Sequence, residues 1–411
     1  MTTAAELERT DSRSDLERLP EASLGESLQF VATGLLPSLA RGLFSPRPRA
    51  MKLLTRLNTD ARAIKVLDAI REKHGGEGIR ILRGKIAVLW GERAIREVLD
   101  NSATAYASDA GAKKKGMSHF MPDALTLSRG EDWSDRRTFN EAVLGTRGME
   151  HPQAARIRDV VNDEVDRLRI GDDLRWEQWE RLFDHITLRV IFGNSARGDQ
   201  ELTDLLEKLM REANRIAGLK TTDDYYEFYG HIDKHLANPD PYSLVAMVAD
   251  APHTDRTRIA QQIPHWIFAM RDTLGANTYR ALALAVEGGH TYFPGVLHEA
   301  MRLWPTTPLL AREKVSDGSQ VMILNVFNHR DPRQPDYNQV KPERWKDGQR
   351  NYRFNHLSNG SQDCPGGPLV LFIGSAVLER MLSEYKLRYQ GPSLDPVPEM
   401  LDFFQIRFEV L

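Results

Sequence analysis

Apolar positions three and four apart recur along most of this chain and predict a largely helical protein. From Pro368 onward, Leu369, Phe372, Ile373, Ala376 and Val377 fall at i, i+3, i+4, i+7 and i+8, the stripe of an amphipathic helix. Pro368 suits the first turn of that helix, where its missing N–H costs nothing. The same period predicts helices at 60–74 and 92–99, and at about 131–143, 150–169, 176–193, 199–217 and 222–236. The longest run, 259–287, carries Ala269-Met-Arg-Asp-Thr-Leu-Gly275 at its middle. Short β-rich stretches predict strands at 79–82 and 86–90 around a turn at Gly84, and further strands at 321–327 and 403–410. Asn238-Pro-Asp-Pro241 breaks the chain before the long run. There is no internal repeat and no low-complexity tract. The fold class expected is mainly α with a small β portion.

Composition changes this picture little. With 41% hydrophobic and 27% charged residues, 411 residues can bury a large core. Residues 1–25 are polar and acidic and predict a disordered tail. No Pro/Gly/Ser-rich linker divides the rest, so 26–411 is expected to form one domain. A net charge of −3 gives no case for nucleic acid. Residues 30–44 are apolar, but Pro37 and Arg41 interrupt them and they are too few to span a bilayer. Core packing is the expectation there, with no transmembrane anchor and a cytoplasmic location.

Cys364 is the only cysteine, so the chain holds neither a disulfide framework nor a cysteine-rich zinc cluster. It lies in Leu357-Ser-Asn-Gly-Ser-Gln-Asp-Cys364-Pro-Gly-Gly-Pro368, with Gly360 permitting a tight turn just before a helix. A helix N-terminus favours thiolate over thiol, and thiolate is what binds metal. A small buried hydrophobe accounts for this segment equally well. Other segments supply company. Glu299 and Arg302 lie three apart in Leu297-His-Glu-Ala-Met-Arg-Leu-Trp-Pro305, and Val340-Lys-Pro-Glu-Arg-Trp345 offers Arg344. Trp133 and Arg137 lie one turn apart in a predicted helix, and Asp272-Thr273 sits mid-way along the long run.

In this order and at these separations the segments resemble the cytochrome P450 superfamily of haem-thiolate oxygenases, of the soluble bacterial type. The resemblance runs from the Trp133 helix to the end of the chain. It implies a P450-like fold with a long central helix over haem b, and Cys364 as the axial ligand of the iron. It implies that the Gly366 and Gly367 N–H groups tune the sulfur, and that Trp133, Arg137 and Arg312 meet the haem propionates. Gln362 stands where that family has a cation, and Leu357 where it has Phe. Asp272 and Thr273 are the candidates for proton delivery. Met270 replaces a glycine and would narrow the oxygen groove. Glu299, Arg302 and Arg344 are expected to form a structural charge network. Residues 288–295 leave room for only a shortened connection.

The same resemblance implies that the segment 117–125 with His119 and Phe120, Phe268 and Met270 on the long helix, and 306–310 with Leu309 line the substrate pocket. Their character suggests a hydrophobic small molecule. Lys113 to Lys115 read as a solvated loop, and Arg271 as an outward surface charge. Electrons are expected from a separate ferredoxin with its reductase, or from a flavodoxin-type donor, since no G-x-G-x-x-G segment is present. Peroxide-driven or non-oxygenating haem-thiolate chemistry, and a catalytically disabled haem-binding protein, remain open alternatives.

Overall fold

The computed structural model describes residues 15–145, 150–348 and 351–411. The short helices α1 (Leu24–Phe30), α2 (Leu36–Ala40) and α3 (Pro48–Arg56) lead into α4 (Thr59–His74). Strands β1 (Gly78–Ile81) and β2 (Ile86–Leu89) follow, then α5 (Glu92–Asp100), β3 (Tyr106–Ala107), α6 (Gly111–Met117) and α7 (Gly130–Leu144). The middle of the chain is helical: α8 (Ala154–Arg167), the short β4 (Asp173–Arg175), α9 (Trp176–Phe192), α10 (Gln200–Ala213) and α11 (Asp223–Ala237).

The long run is one continuous rod in three parts. α12 (Ile263–Phe268) passes through a widened π-helical segment, Ala269–Leu274, into α13 (Gly275–Gly288). α14 (Phe293–Leu303), β5 (Leu309–Lys314), β6 (Gln320–Leu324), α15 (Asn325–Asn328), α16 (Gly367–Glu384), β7 (Leu387–Gln390) and β8 (Arg407–Val410) complete the chain. The protein is mainly α with two small sheets, ordered β1-β2-β6-β5-β3 and β4-β8-β7. Among the described strand pairs β2–β6 alone is parallel, with Ile86 opposite Gln320.

Helix periodicity was the reliable guide to these elements because it is local. Leu202, Leu205, Leu206, Leu209, Met210 and Ala213 form the buried stripe of α10. On α16, Leu369, Ile373, Ala376 and Val377 are buried, while Phe372 sits at the edge with the Arg158 guanidinium 5.3 Å from its ring centre. α13 is buried all round from Gly275 to Ala285, the mark of a central helix. Its neighbours approach closely: a Cβ on Gly374 of α16 would lie 2.9 Å from Leu297 of α14 and 3.1 Å from Thr278 of α13.

Three expectations need correction. Residues 15–25 are not a free tail: Leu16 and Leu19 are buried, and Pro20 and Ala22 exchange backbone hydrogen bonds of 2.8 Å with Arg80 of β1. Residues 1–14 lie outside the described residues. The strand expected at 321–327 ends at Leu324, because Asn325 turns the chain by donating from its amide to Thr307 O at 2.9 Å. The strand expected at 403–410 begins only at Arg407, because Asp402 caps a tight turn by accepting from Phe404 N at 3.1 Å. The apolar stretch 30–44 contributes Phe30 and Phe44 to the core. No helix among the described residues is long and apolar enough to cross a membrane.

Candidate functional site

The Cys364 loop is wedged between α5 and the start of α16. Gly360 takes φ +72° and lies against the backbone of Leu99 and Asp100 at the end of α5. Ser361 Oγ donates to Ser102 O, and Cys364 N donates to Leu357 O at 2.9 Å. The Gly366 N–H points at the Cys364 sulfur, whereas the Gly367 N–H is used by Cys364 O at 3.2 Å, so only the first of the two expected donors reaches the sulfur. Burial pushes the Cys364 thiol up, the Gly366 N–H lowers it, Asp363 raises it and Arg137 lowers it. In this setting the helix dipole does not prevail, and the thiol form is favoured until a cation takes up the sulfur.

Arg137 on α7 fastens this loop. Its guanidinium donates to Asp363 O at 2.5 Å and Asp363 Oδ1 at 2.6 Å, and pairs with Glu141 at 2.7 Å. Trp133, one turn earlier, is half-buried. Arg312 on β5 is buried and has neutral partners: Ser102 Oγ at 2.9 Å, Ala311 O at 3.0 Å and Ser358 Oγ at 3.4 Å. Burial alone pushes its guanidinium down to about 10. Both ends of the Gln362 amide are buried without a hydrogen-bond partner.

Glu299, Arg302 and Arg344 meet in one buried network behind the loop. Arg302 grips Glu299 through two bonds of 3.0 and 2.8 Å, with neither side chain exposed. Its remaining protons reach His329 O, Tyr337 O and Gln339 O at 3.1, 2.8 and 2.8 Å. Glu299 also accepts from Lys341 N and Trp345 Nε1 at 2.8 Å, and lies 2.9 Å from the Arg344 guanidinium. Trp345 was passed over in the sequence, since its contact with Glu299 spans 46 residues.

Asp272 and Thr273 both lie in the π-helical segment, which packs against α16. Asp272 Oδ1 accepts from Arg271 at 2.7 Å, and its Oδ2 is buried without a partner. Burial raises the Asp272 carboxyl to about 6, against the opposing pull of Arg271. Arg271 is not a surface charge. It is buried, bonded to Asp184 of α9 and Asp272, with Glu207 of α10 at 3.5 Å and Glu180 at 3.8 Å. Glu180 is likewise raised by burial, to about 7. A raised carboxyl pKa gives stability that is complete below about pH 4, the ordinary carboxylate range, and is lost as pH rises through about 6. Asp272→Asn is therefore expected to flatten that part of the stability–pH curve, measured by urea unfolding from pH 4 to 8. An unchanged slope would contradict the burial.

Cys364, Lys113, His265 and Asp272 are each deep in the fold, yet each keeps part of its side chain accessible. None of the four is an exposed surface residue. Lys113 is therefore no solvated loop residue, although Lys114 and Lys115 are exposed. Of the expected pocket residues, Phe268 and Leu309 are half-buried and Met270 is buried. Phe120 is core, edge-on to Phe44 at 6.2 Å. His119 is turned to Glu212 of α10, 2.9 Å away. Two surface clefts, of about 570 and 230 Å³, open on other faces and hold none of these residues.

No family model matches the chain. Among curated proteins it is similar to the bifunctional cytochrome P450/NADPH–P450 reductase of Bacillus cereus, 24% identical over 281 residues, 58% of this chain and 24% of that protein. It is also similar to cytochrome P450 4V2 of Mus musculus, 28% identical over 198 residues, 44% of this chain and 35% of that protein. The Rattus norvegicus cytochrome P450 4V2 matches at 29% over 109 residues, 23% of this chain and 21% of that protein. The matched regions thus span between 21% and 35% of the length of these relatives. These relatives share the name cytochrome P450, and the chain, mainly helical with two small sheets, is similar to them over the matched regions.

Proposed function

We propose that this protein is a haem-thiolate monooxygenase that oxidises a hydrophobic small molecule with electrons from a separate ferredoxin- or flavodoxin-type donor. The observation that carries the reading is a cysteine loop fastened by Arg137 at the start of α16, against which the π-helical segment carrying Asp272 and Thr273 packs. The residues fit haem b, a flat cofactor with two carboxylates. A buried amide without partners at Gln362 and a buried guanidinium with only neutral partners at Arg312 suit such carboxylates.

When bound, haem held by a thiolate would supply oxygen activation. Cys364 would be the ligand, and the Gly366 N–H would temper its donation. Burial raises the Asp272 carboxyl to about 6, so it exchanges a proton within reach of neutral pH, which suits proton delivery. Thr273, the next residue on the same widened segment, offers the hydroxyl that would pass it on. Arg271 fixes the Asp272 carboxyl from one side, and Oδ2 is left without a hydrogen-bond partner. Glu299, Arg302 and Arg344 act on the fold behind the loop and touch no reacting atom.

The test is spectroscopic. Protein expressed with haem supplied, then reduced and exposed to carbon monoxide, is expected to show a thiolate-shifted Soret band. Cys364→Ser is expected to abolish that shift. A Soret position unaltered by the substitution would refute the ligand assignment. Substrate class is read separately, from the spin-state change on titration with apolar ligands.

A further inference from the structure

Lys113 lies on α6, half-buried, with its ammonium turned inward. Its ammonium donates to Ser108 O at 3.1 Å, to Thr126 O at 3.2 Å and to Thr126 Oγ1. All three partners are neutral. The nearby Asp109 carboxylate is held instead by Lys114 and Arg129, each at 2.7 Å. Burial, then the charge of Arg312, holds Lys113 down to about 7, and burial followed by Lys113 pushes His265 down to about 4. Lys113 and Arg312 thus share one interior corner, and among the described residues neither has a carboxylate hydrogen-bonded to it. Leaving buried charge unpaired is expensive, and an anion entering that corner relieves it.

The charge count identifies the anion. A bound haem brings two carboxylates. The Arg137 guanidinium is bonded to Asp363 and Glu141, and Gln362 is neutral. Among the described residues named above, the cations with no carboxylate hydrogen-bonded to them are Arg312 and Lys113. We infer that Lys113 supplies the positive charge that Gln362 lacks, and with Arg312 holds the two carboxylates of the bound porphyrin. This rests on the haem reading above and goes beyond it, because the lysine comes from a different part of the fold than the cysteine loop.

The experiment compares haem-loaded wild type with Lys113→Met, Lys113→Arg, Lys115→Met and Thr126→Val. Haem loss to excess apomyoglobin and the iron reduction potential are the two readouts. A charge-assisted hydrogen bond is worth about 1.5–3 kcal/mol, so Lys113→Met should lose haem about ten- to a hundred-fold faster. Its potential should fall, because a cation near the porphyrin disfavours the more positive ferric iron. Lys113→Arg restores both readouts, and the exposed Lys115 control changes neither. Thr126→Val keeps the charge while removing one loop contact, and is expected to keep the wild-type potential. Wild-type rates and potential in Lys113→Met overturn the inference while leaving the haem reading intact. So does a variant that differs only in its spin-state response to long-chain carboxylates relative to the matching alcohols, which would place the lysine on substrate. A wild-type protein that takes up no haem sinks the parent reading instead.

Discussion

Arg302→Met is expected to lower the stability of this protein by about 3–5 kcal/mol, the scale for removing one partner of a buried ion pair. The substitution leaves Glu299 charged at a position with no exposure to solvent. It also strips the carbonyls of His329, Tyr337 and Gln339 of their shared donor. A domain holds only about 5–15 kcal/mol in all, so the loss takes a large part of it. Arg344→Met touches the same carboxylate from a position that is 17% exposed, and Glu299 keeps Arg302. It is expected to cost about 1–2 kcal/mol. Urea unfolding of the two variants reads the order directly. Equal losses, or a loss below about 1 kcal/mol for Arg302→Met, would mean that the network does not bear on the fold.

Gly360→Ala is expected to displace the cysteine loop. A Cβ there would lie 2.2 Å from Leu99 O, 2.3 Å from Leu99 C and 2.7 Å from Asp100 N, all backbone atoms that no rotamer change can move aside. The residue also sits at φ +72°, where an L side chain adds about 1–2 kcal/mol of strain. The combined loss is expected to reach at least about 3 kcal/mol, at the upper end of ordinary single substitutions. The lone cysteine makes the readout specific: Cys364 should react faster with a thiol reagent in Gly360→Ala than in wild type. Wild-type stability together with wild-type reactivity would put the loop somewhere other than against α5.

How far such contacts can be foreseen depends on their range along the chain. The buried stripes of α10 and α16 follow from spacing alone, because an α-helix fixes which positions share a face. The Glu299–Arg302 pair is legible for the same reason, being three residues apart. Arg137 is different. Its position one turn after Trp133 suggests a cation for the cofactor, but its partner Asp363 lies 226 residues away and helical spacing says nothing of it. Arg271 reads as surface from the sequence because adjacent helix positions lie about 100° apart, so it and Asp272 cannot both face inward squarely. Asp184, Glu180 and Glu207, from α9 and α10, form the carboxylate pocket that makes its burial tolerable. Lys113 was hidden by Lys114 and Lys115. Three adjacent lysines look like a solvated run, and only the fold separates the inward one from its exposed neighbours. The widened turn at Ala269–Leu274 has no apolar signature, since the residues around it keep a helical period.

The grip of Arg137 on Asp363 has a thermodynamic corollary. The loop that presents Cys364 is tethered from α7, α5 and its own backbone by contacts made wholly within the polypeptide. Its conformational entropy is therefore given up when the chain folds and not when a prosthetic group arrives. Capture then requires little rearrangement of the sulfur, which raises affinity without adding a single contact. A pre-set socket of this kind should take up its group quickly and with a small activation entropy.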